Sequence, residues 1–195
     1  MTLRRNSLSG FLRYYLLDIW VGGMTKLSFK EWMAAAFRDS DQLDDLTLDI
    51  VAEFTLYWGV FEGVECKGRG GHSQFEIFAT QVASKISDGD LDGLLAYWVN
   101  RYTDGGSTNT LFERLNFRHA DKKDLVQQVL LGEGRSTDQK ILALLIIVYR
   151  LRNNLFHGLK TINRLTEQQQ NLNHACLVLQ ELMPLSRQYL YLDAA

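Results

Sequence analysis

Three side chains with useful chemistry lie within six residues, near the end of a long apolar segment, in the string Arg152-Asn153-Asn154-Leu155-Phe156-His157-Gly158. Arg152 carries a permanent cation that can hold a phosphate through two parallel hydrogen bonds. His157 carries an imidazole whose ordinary pKa lies near neutrality, so it can take or give a proton. Asn153 can orient the imidazole or hydrogen-bond a phosphate oxygen. Together these groups suit the cleavage of a phosphodiester.

An enzyme that cleaves RNA does not have to supply a nucleophile, because RNA carries its own, the 2′-OH, beside the scissile phosphate. An enzyme must then supply an acid or a base and a cation for the charged transition state. His157 can be the acid or base and Arg152 the cation, and this scheme requires no metal. One histidine cannot easily be acid and base at once, which favours a symmetric dimer that pairs two such motifs.

The same residues also suit a purely structural role. Arginine and histidine near the last turn of a helix can hydrogen-bond the free carbonyl groups and interact well with the helix dipole. The spacing of Arg152 and His157 alone is therefore compatible with a helix end that does no chemistry.

A helix would position these groups on one side. Asn153 and His157 are four residues apart and share a face, and Tyr149 extends that line by one turn as a supporting residue. Arg152 is long enough to reach the same surface. Four apolar residues can hold another face of this helix in the core: Leu144, Val148, Leu151 and Leu155.

The remaining chain predicts an all-α protein. It contains one proline, Pro184, so little interrupts helical hydrogen bonding. Apolar spacing and capping residues, including a capping box at Ser28 and Glu31, predict helices but no strand. The predicted helices cover residues 7–21, 28–37, 39–66, 73–87, 91–102, 110–117, 121–131, about 137–158 for the motif helix, and about 166–191 at the C-terminus. We expect one domain, 1–195, with four to five core helices plus short extra ones.

Charge is unevenly distributed and places the motif in the more basic part of the chain. Residues 1–110 carry 10 Lys and Arg against 15 Asp and Glu, whereas residues 111–195 carry 11 against 8. A polyanion is held best by the basic part. Arg150 and Lys160 flank the motif, and Lys67 and Arg69 lie in the glycine-rich loop 67–72, so we expect these four cations to contact RNA. The alternatives are an exposed helix charge for Arg150 and a plain connecting loop for 67–72.

Several classes of protein are disfavoured. Only two cysteines are present, which indicates a reducing compartment and no disulfide framework. The scattered histidines lack the spacing of metal ligands, so we expect neither a metal nor a cofactor. Arg13 and Asp18 interrupt the N-terminal apolar residues, and Ile141 to Val148 is too short to span a bilayer. We therefore expect a cytoplasmic protein with no membrane partner.

The full motif string resembles the signature of the HEPN superfamily, small all-α domains marked by Arg, four to six residues and His at the end of a long helix near the C-terminus. The resemblance implies a four- or five-helix bundle that dimerises so that two motifs form one composite site. It also implies an acidic or amide residue in an earlier helix, a position that Glu62 could fill. One feature differs: relatives controlled by a nucleotidyltransferase antitoxin often carry Tyr two residues after the His, where this chain has Leu159.

From this resemblance we expect a metal-independent endoribonuclease that acts as a toxin or anti-phage defence effector. Arg152, Asn153 and His157 would be its catalytic residues. Its expected partners are RNA, a second copy of the chain and an antitoxin or defence-complex protein. The alternative is a non-catalytic HEPN-like module that binds RNA or nucleotide, or a scaffold subunit of a larger complex.

Overall fold

The computed structural model describes residues 26–36, 44–156 and 165–186. The chain divides into two compact units, one before and one after the boundary between Leu43 and Asp44. The predicted helix 7–21 lies outside the described residues, as does the end of the predicted C-terminal helix after Ser186.

The first unit contains α1, Phe29–Ala36. The predicted capping box opens it: the Ser28 amide donates to the Glu31 carboxylate at 2.8 Å, and the Glu31 amide donates to Ser28 Oγ at 3.2 Å. The Ser28 hydroxyl also donates to Glu31 Oε2 at 2.8 Å, and the hydrogen bonds from the hydroxyl and the amide of Ser28 hold the pKa of Glu31 below its ordinary value. The capping box predicted from the sequence is confirmed.

The second unit is built from helices, and its described residues contain seven of them. They are α2 (Asp45–Val64), α3 (His72–Val82), α4 (Asp88–Tyr102), α5 (Thr110–Glu113), α6 (Lys123–Leu130), α7 (Thr137–Phe156) and α8 (Gln169–Leu182). Short 3₁₀ turns follow α3 and flank α8: Ala83–Lys85, Thr166–Gln168 and Met183–Ser186. The expected all-α class is confirmed.

A small antiparallel hairpin is the only β-structure in the described residues. Strand β1 (Thr103–Asp104) pairs with β2 (Ser107–Thr108). Gly105 and Gly106 connect them with φ angles of 55° and 80°, the left-handed conformations that a two-residue hairpin turn requires. The sequence predicted only a loop here, because strands of two residues leave no alternating pattern to detect.

Helix α7 forms the centre of the second unit. Every residue from Ile141 to Val148 is buried, so this helix is apolar all round rather than on one stripe. It packs against α3, α4, α6 and α8, and α2 packs along α8. A helix enclosed in this way has little freedom to shift, so the polar residues near its end are presented from a rigid element.

Both cysteines are free and buried, and burial raises the pKa of Cys66 and of Cys176 to about 12. Each thiol is therefore protonated and inert near neutrality. Among the described helices, none combines the length and the apolar character that crossing a bilayer demands.

Candidate functional site

Arg152 lies on the last turns of α7, where its guanidinium meets two groups that the sequence had singled out. Its NH1 donates to Asn153 Oδ1 at 3.1 Å, and its NH2 lies 3.7 Å from Glu62 Oε2 on α2. The side chains of Arg152 and Glu62 are each 29% exposed. The cation is thus oriented by two partners while part of it remains accessible to a ligand.

Glu62 is itself fixed by its surroundings. Trp58 Nε1 donates to Glu62 Oε2 at 3.0 Å, one turn earlier on α2. Gly70 lies against the carboxylate so closely that an added Cβ would be 2.6 Å from Glu62 Oε1. The loop that carries the exposed Lys67 and Arg69 therefore packs beside Glu62, and the site joins α2, this loop and α7.

Two aromatic rings flank the guanidinium. The Arg152 guanidinium carbon lies 5.9 Å from the Trp58 ring centroid and 5.0 Å from that of Phe156. Both distances are within the range of cation–π attraction. Phe156 is 51% exposed, so its ring offers an apolar surface to solvent directly beside the cation.

Tyr149 lies about one turn before Arg152 on α7 and belongs to an aromatic cluster. Its ring centroid is 5.9 Å from Trp58, 5.7 Å from His72 and 5.4 Å from Phe75. The cluster connects α7 to α2 and α3. Tyr149 therefore supports the site through Trp58, the residue that holds Glu62.

Asn153 is 4% exposed and points toward the arginine. Its Oδ1 accepts from Arg152, and its Nδ2 has no hydrogen-bond partner in the described part of the chain. Asn153 thus orients the guanidinium here. His157 and Lys160 lie outside the described residues, and α7 is described as far as Phe156 rather than to the predicted residue 158.

The expectation that Arg150 contacts RNA is wrong, because this residue is 1% exposed. Its NH1 forms an ion pair with Asp121 Oδ2 at 3.0 Å, and its Nε and NH2 donate to the carbonyl groups of Leu115 and Asn116. Arg150 anchors α7 to the segment that connects α5 and α6. It is not available to a polyanion at the surface.

The sequence missed Asp121, the partner of this anchor. Its other carboxylate oxygen lies 3.4 Å from His72 Nε2. Burial lowers the pKa of His72, Lys122 and Arg150 lower it further, and Asp121 opposes them. A signal for the burial of Arg150 was present, because it follows the buried residues Ala143 and Ile147 at helical spacing.

Within residues 26–36, 44–156 and 165–186, no group of three or more His, Cys, Asp and Glu side chains could hold a metal ion. The groups assembled around Arg152 can bind a phosphate oxygen, stack against a flat apolar ligand and stabilise negative charge. No family model, curated protein or solved structure matches this chain. The resemblance of the motif to the HEPN superfamily therefore stays an expectation from the sequence.

Proposed function

We propose that this protein is a metal-independent endoribonuclease of the HEPN type, acting in the cytoplasm as a toxin or anti-phage defence effector. It would work as a homodimer, with an antitoxin or a defence-complex protein as a further partner. The observation that carries the proposal is the Arg152 guanidinium, held by Asn153 and Glu62 and flanked by two aromatic rings.

In this reaction the ribose 2′-oxygen attacks the adjacent phosphorus, and the bond from phosphorus to the 5′-oxygen breaks. The 2′-OH loses a proton to a base, and the leaving 5′-oxygen takes a proton from an acid. His157, which follows Phe156 in the chain, supplies one of these transfers, and the same residue of a second copy supplies the other. Arg152 stabilises the negative charge that gathers on the phosphate oxygens. The products carry a 2′,3′-cyclic phosphate and a 5′-OH.

A phosphate must compete with Glu62 for the guanidinium. The two side chains are separated by 3.7 Å and each is partly exposed, so their ion pair is screened by water and weak. A phosphate can accept two parallel hydrogen bonds from arginine and brings a stronger interaction. The exposed Lys67 and Arg69 on the adjoining loop would hold the neighbouring phosphates of the strand.

A second function is favoured by the same ion pair. Since Glu62 already occupies Arg152, the chain could bind RNA or nucleotide through this face without cleaving it, as a module or scaffold subunit of a larger complex. Such a protein would bind RNA with a steep salt dependence and leave it intact. Cleavage under metal-free conditions separates the two functions.

The test incubates the full chain with RNA in EDTA and compares wild type with His157→Ala. We expect wild type to leave cyclic phosphate ends and His157→Ala to lose cleavage, roughly a hundredfold or more, because a proton transfer is removed. His119→Ala, which removes an exposed imidazole from the segment after α5, is the matched control and should cleave like wild type. Full activity in His157→Ala would exclude this residue from the reaction.

A further inference from the structure

A polar cavity of about 120 Å³ lies beside α7, away from the candidate site. Its polar lining comes from Arg101, Arg114, Asn154, Glu167, Gln168 and Asn171. Asn154 and Arg152 are two residues apart on α7, which places them about 200° apart around the helix. The cavity and the candidate site therefore use opposite faces of the same helix.

Two cations line this cavity without a carboxylate partner. In the described residues, neither Arg101 nor Arg114 forms an ion pair, although the exposed Glu167 lines the same cavity. The Nε of Arg101 is buried and has no hydrogen-bond partner among them. A partly buried guanidinium with an unpaired donor is costly, and an anion in the cavity would remove that cost.

Among the described residues, Asn154 contributes an unpaired acceptor, whereas Arg101 contributes an unpaired donor. Asn154 is 3% exposed, and its Nδ2 donates to the carbonyl groups of Arg114 at 3.3 Å and Leu115 at 3.2 Å. Its Oδ1 therefore points away from those carbonyls, and it has no partner within the described parts of the chain. A buried acceptor of this kind calls for a ligand that also carries a donor.

The wall on the side of α8 is already fixed. Asn171 is 2% exposed, its Oδ1 accepts from the Tyr97 hydroxyl at 2.7 Å, and its Nδ2 donates to Gln168 Oε1 at 2.8 Å. Because both ends of this amide are engaged, Asn171 itself does not have to rearrange when a ligand enters.

We propose that this cavity binds a phosphate group that retains a P–OH. Its charged oxygens would accept hydrogen bonds from Arg101 and Arg114, and its P–OH would donate to Asn154 Oδ1. A volume of about 120 Å³ suits a tetrahedral oxyanion and is small beside the pockets of several hundred Å³ that enclose larger ligands. The phosphate is therefore either free or the terminal group of a molecule that remains outside. This site is independent of the proposed RNA cleavage.

The test titrates the full chain with inorganic phosphate at neutral pH and constant ionic strength, by calorimetry. We expect saturable binding that Arg114→Gln weakens roughly tenfold or more, because a hydrogen bond to a charged group is lost. Arg118→Gln is the matched control: it removes another exposed arginine of the segment after α5, and one that does not line the cavity. It should bind like wild type. Arg152→Gln should also bind phosphate like wild type, which separates this cavity from the candidate site.

Two comparisons identify the ligand further. Sulfate has the same shape but no O–H at neutral pH, so it should bind more weakly than phosphate. At about pH 6, where roughly half of a phosphate monoester keeps its P–OH, a nucleoside 5′-monophosphate that binds more tightly than inorganic phosphate indicates a terminal phosphate, and equal or weaker binding indicates the free ion. Absence of saturable phosphate binding in wild type would overturn the proposal. Binding that survives in Arg114→Gln but is lost in Arg152→Gln would overturn it as well.

Discussion

At the scale of single residues, Arg150 and Arg152 show how far a sequence can assign a side chain. They are the same amino acid, two positions apart, and the sequence predicted that both would serve RNA. Arg150 is buried against Asp121, whereas Arg152 is 29% exposed beside Glu62. The resemblance to the HEPN superfamily suggested Glu62 as a residue of the same site as Arg152, but pairing between distant segments, such as Asp121 with Arg150, follows no sequence spacing.

Replacing Glu62 by Gln tests two effects of this carboxylate: it orients the Arg152 guanidinium, and it competes with phosphate for it. The amide can still accept from Trp58 Nε1, but the negative charge beside the guanidinium is gone. We expect RNA to bind a few fold more tightly at low salt, with a steeper salt dependence by about one phosphate contact. Cleavage at saturating RNA should fall, because the arginine loses one of the two groups that orient it. Filter binding across salt concentrations and single-turnover cleavage measure the two effects.

Glu113→Gln is the control for that experiment. Glu113 is an exposed carboxylate that pairs with Lys123, so the variant removes the same charge from another ion pair. RNA affinity that changes equally in both variants would mean that net charge alone is responsible. Unchanged affinity in Glu62→Gln would show that Glu62 does not compete with phosphate.

At the scale of elements, the position of α7 depends on a buried polar anchor as well as on apolar packing. Asp121, in the segment between α5 and α6, receives Arg150 from α7 on one oxygen and faces His72 of α3 with the other. Three segments therefore meet at one carboxylate. The predicted helix 110–117 ends at Glu113 in the structure, and the predicted helix 121–131 begins at Lys123. Asn116 and Lys122, which both have left-handed φ angles, interrupt the helical path between them.

Asp121→Asn should destabilise the fold strongly. The substitution leaves the buried Arg150 cation without its counter-ion, a change that typically costs about 3–5 kcal/mol. Lys123→Gln breaks the exposed pair with Glu113 and should cost at most about 1 kcal/mol. Urea unfolding followed by circular dichroism gives both free energies. Equal, small losses in the two variants would mean that the Arg150 anchor contributes little.

His72 should make stability depend on pH. Since burial holds its pKa below the ordinary value, the unfolded chain binds a proton more readily than the folded protein. The stability associated with this group is therefore fully present above about pH 6.5 and declines as pH falls below that value. His72→Gln, which removes the titrating imidazole and keeps a polar side chain, should show a shallower decline. Urea unfolding at intervals from pH 8 to pH 5 measures it, and parallel curves for the two proteins would contradict the assignment.

At the scale of the whole molecule, composition and helical spacing predicted the all-α class, and the structure confirms it. The sequence also identified the long apolar motif helix. Its burial on every side was harder to predict, because a continuous apolar run indicates burial without naming the neighbours. The polar cavity around Asn154 depends on contacts among α4, α7 and α8 that no local pattern encodes.

The proposed composite site makes activity depend on pairing, and a mixing experiment tests that dependence. If each site needs His157 from both copies, a mixed dimer of wild type and His157→Ala is impaired. With a tenfold excess of the variant and free exchange of subunits, only about a tenth of the wild-type chains keep a wild-type partner. RNA cleavage per wild-type chain should fall to about that fraction, whereas an excess of His119→Ala should not lower it. Native mass spectrometry confirms that mixed dimers have formed, and wild-type activity that persists in their presence would show that each chain cleaves RNA alone.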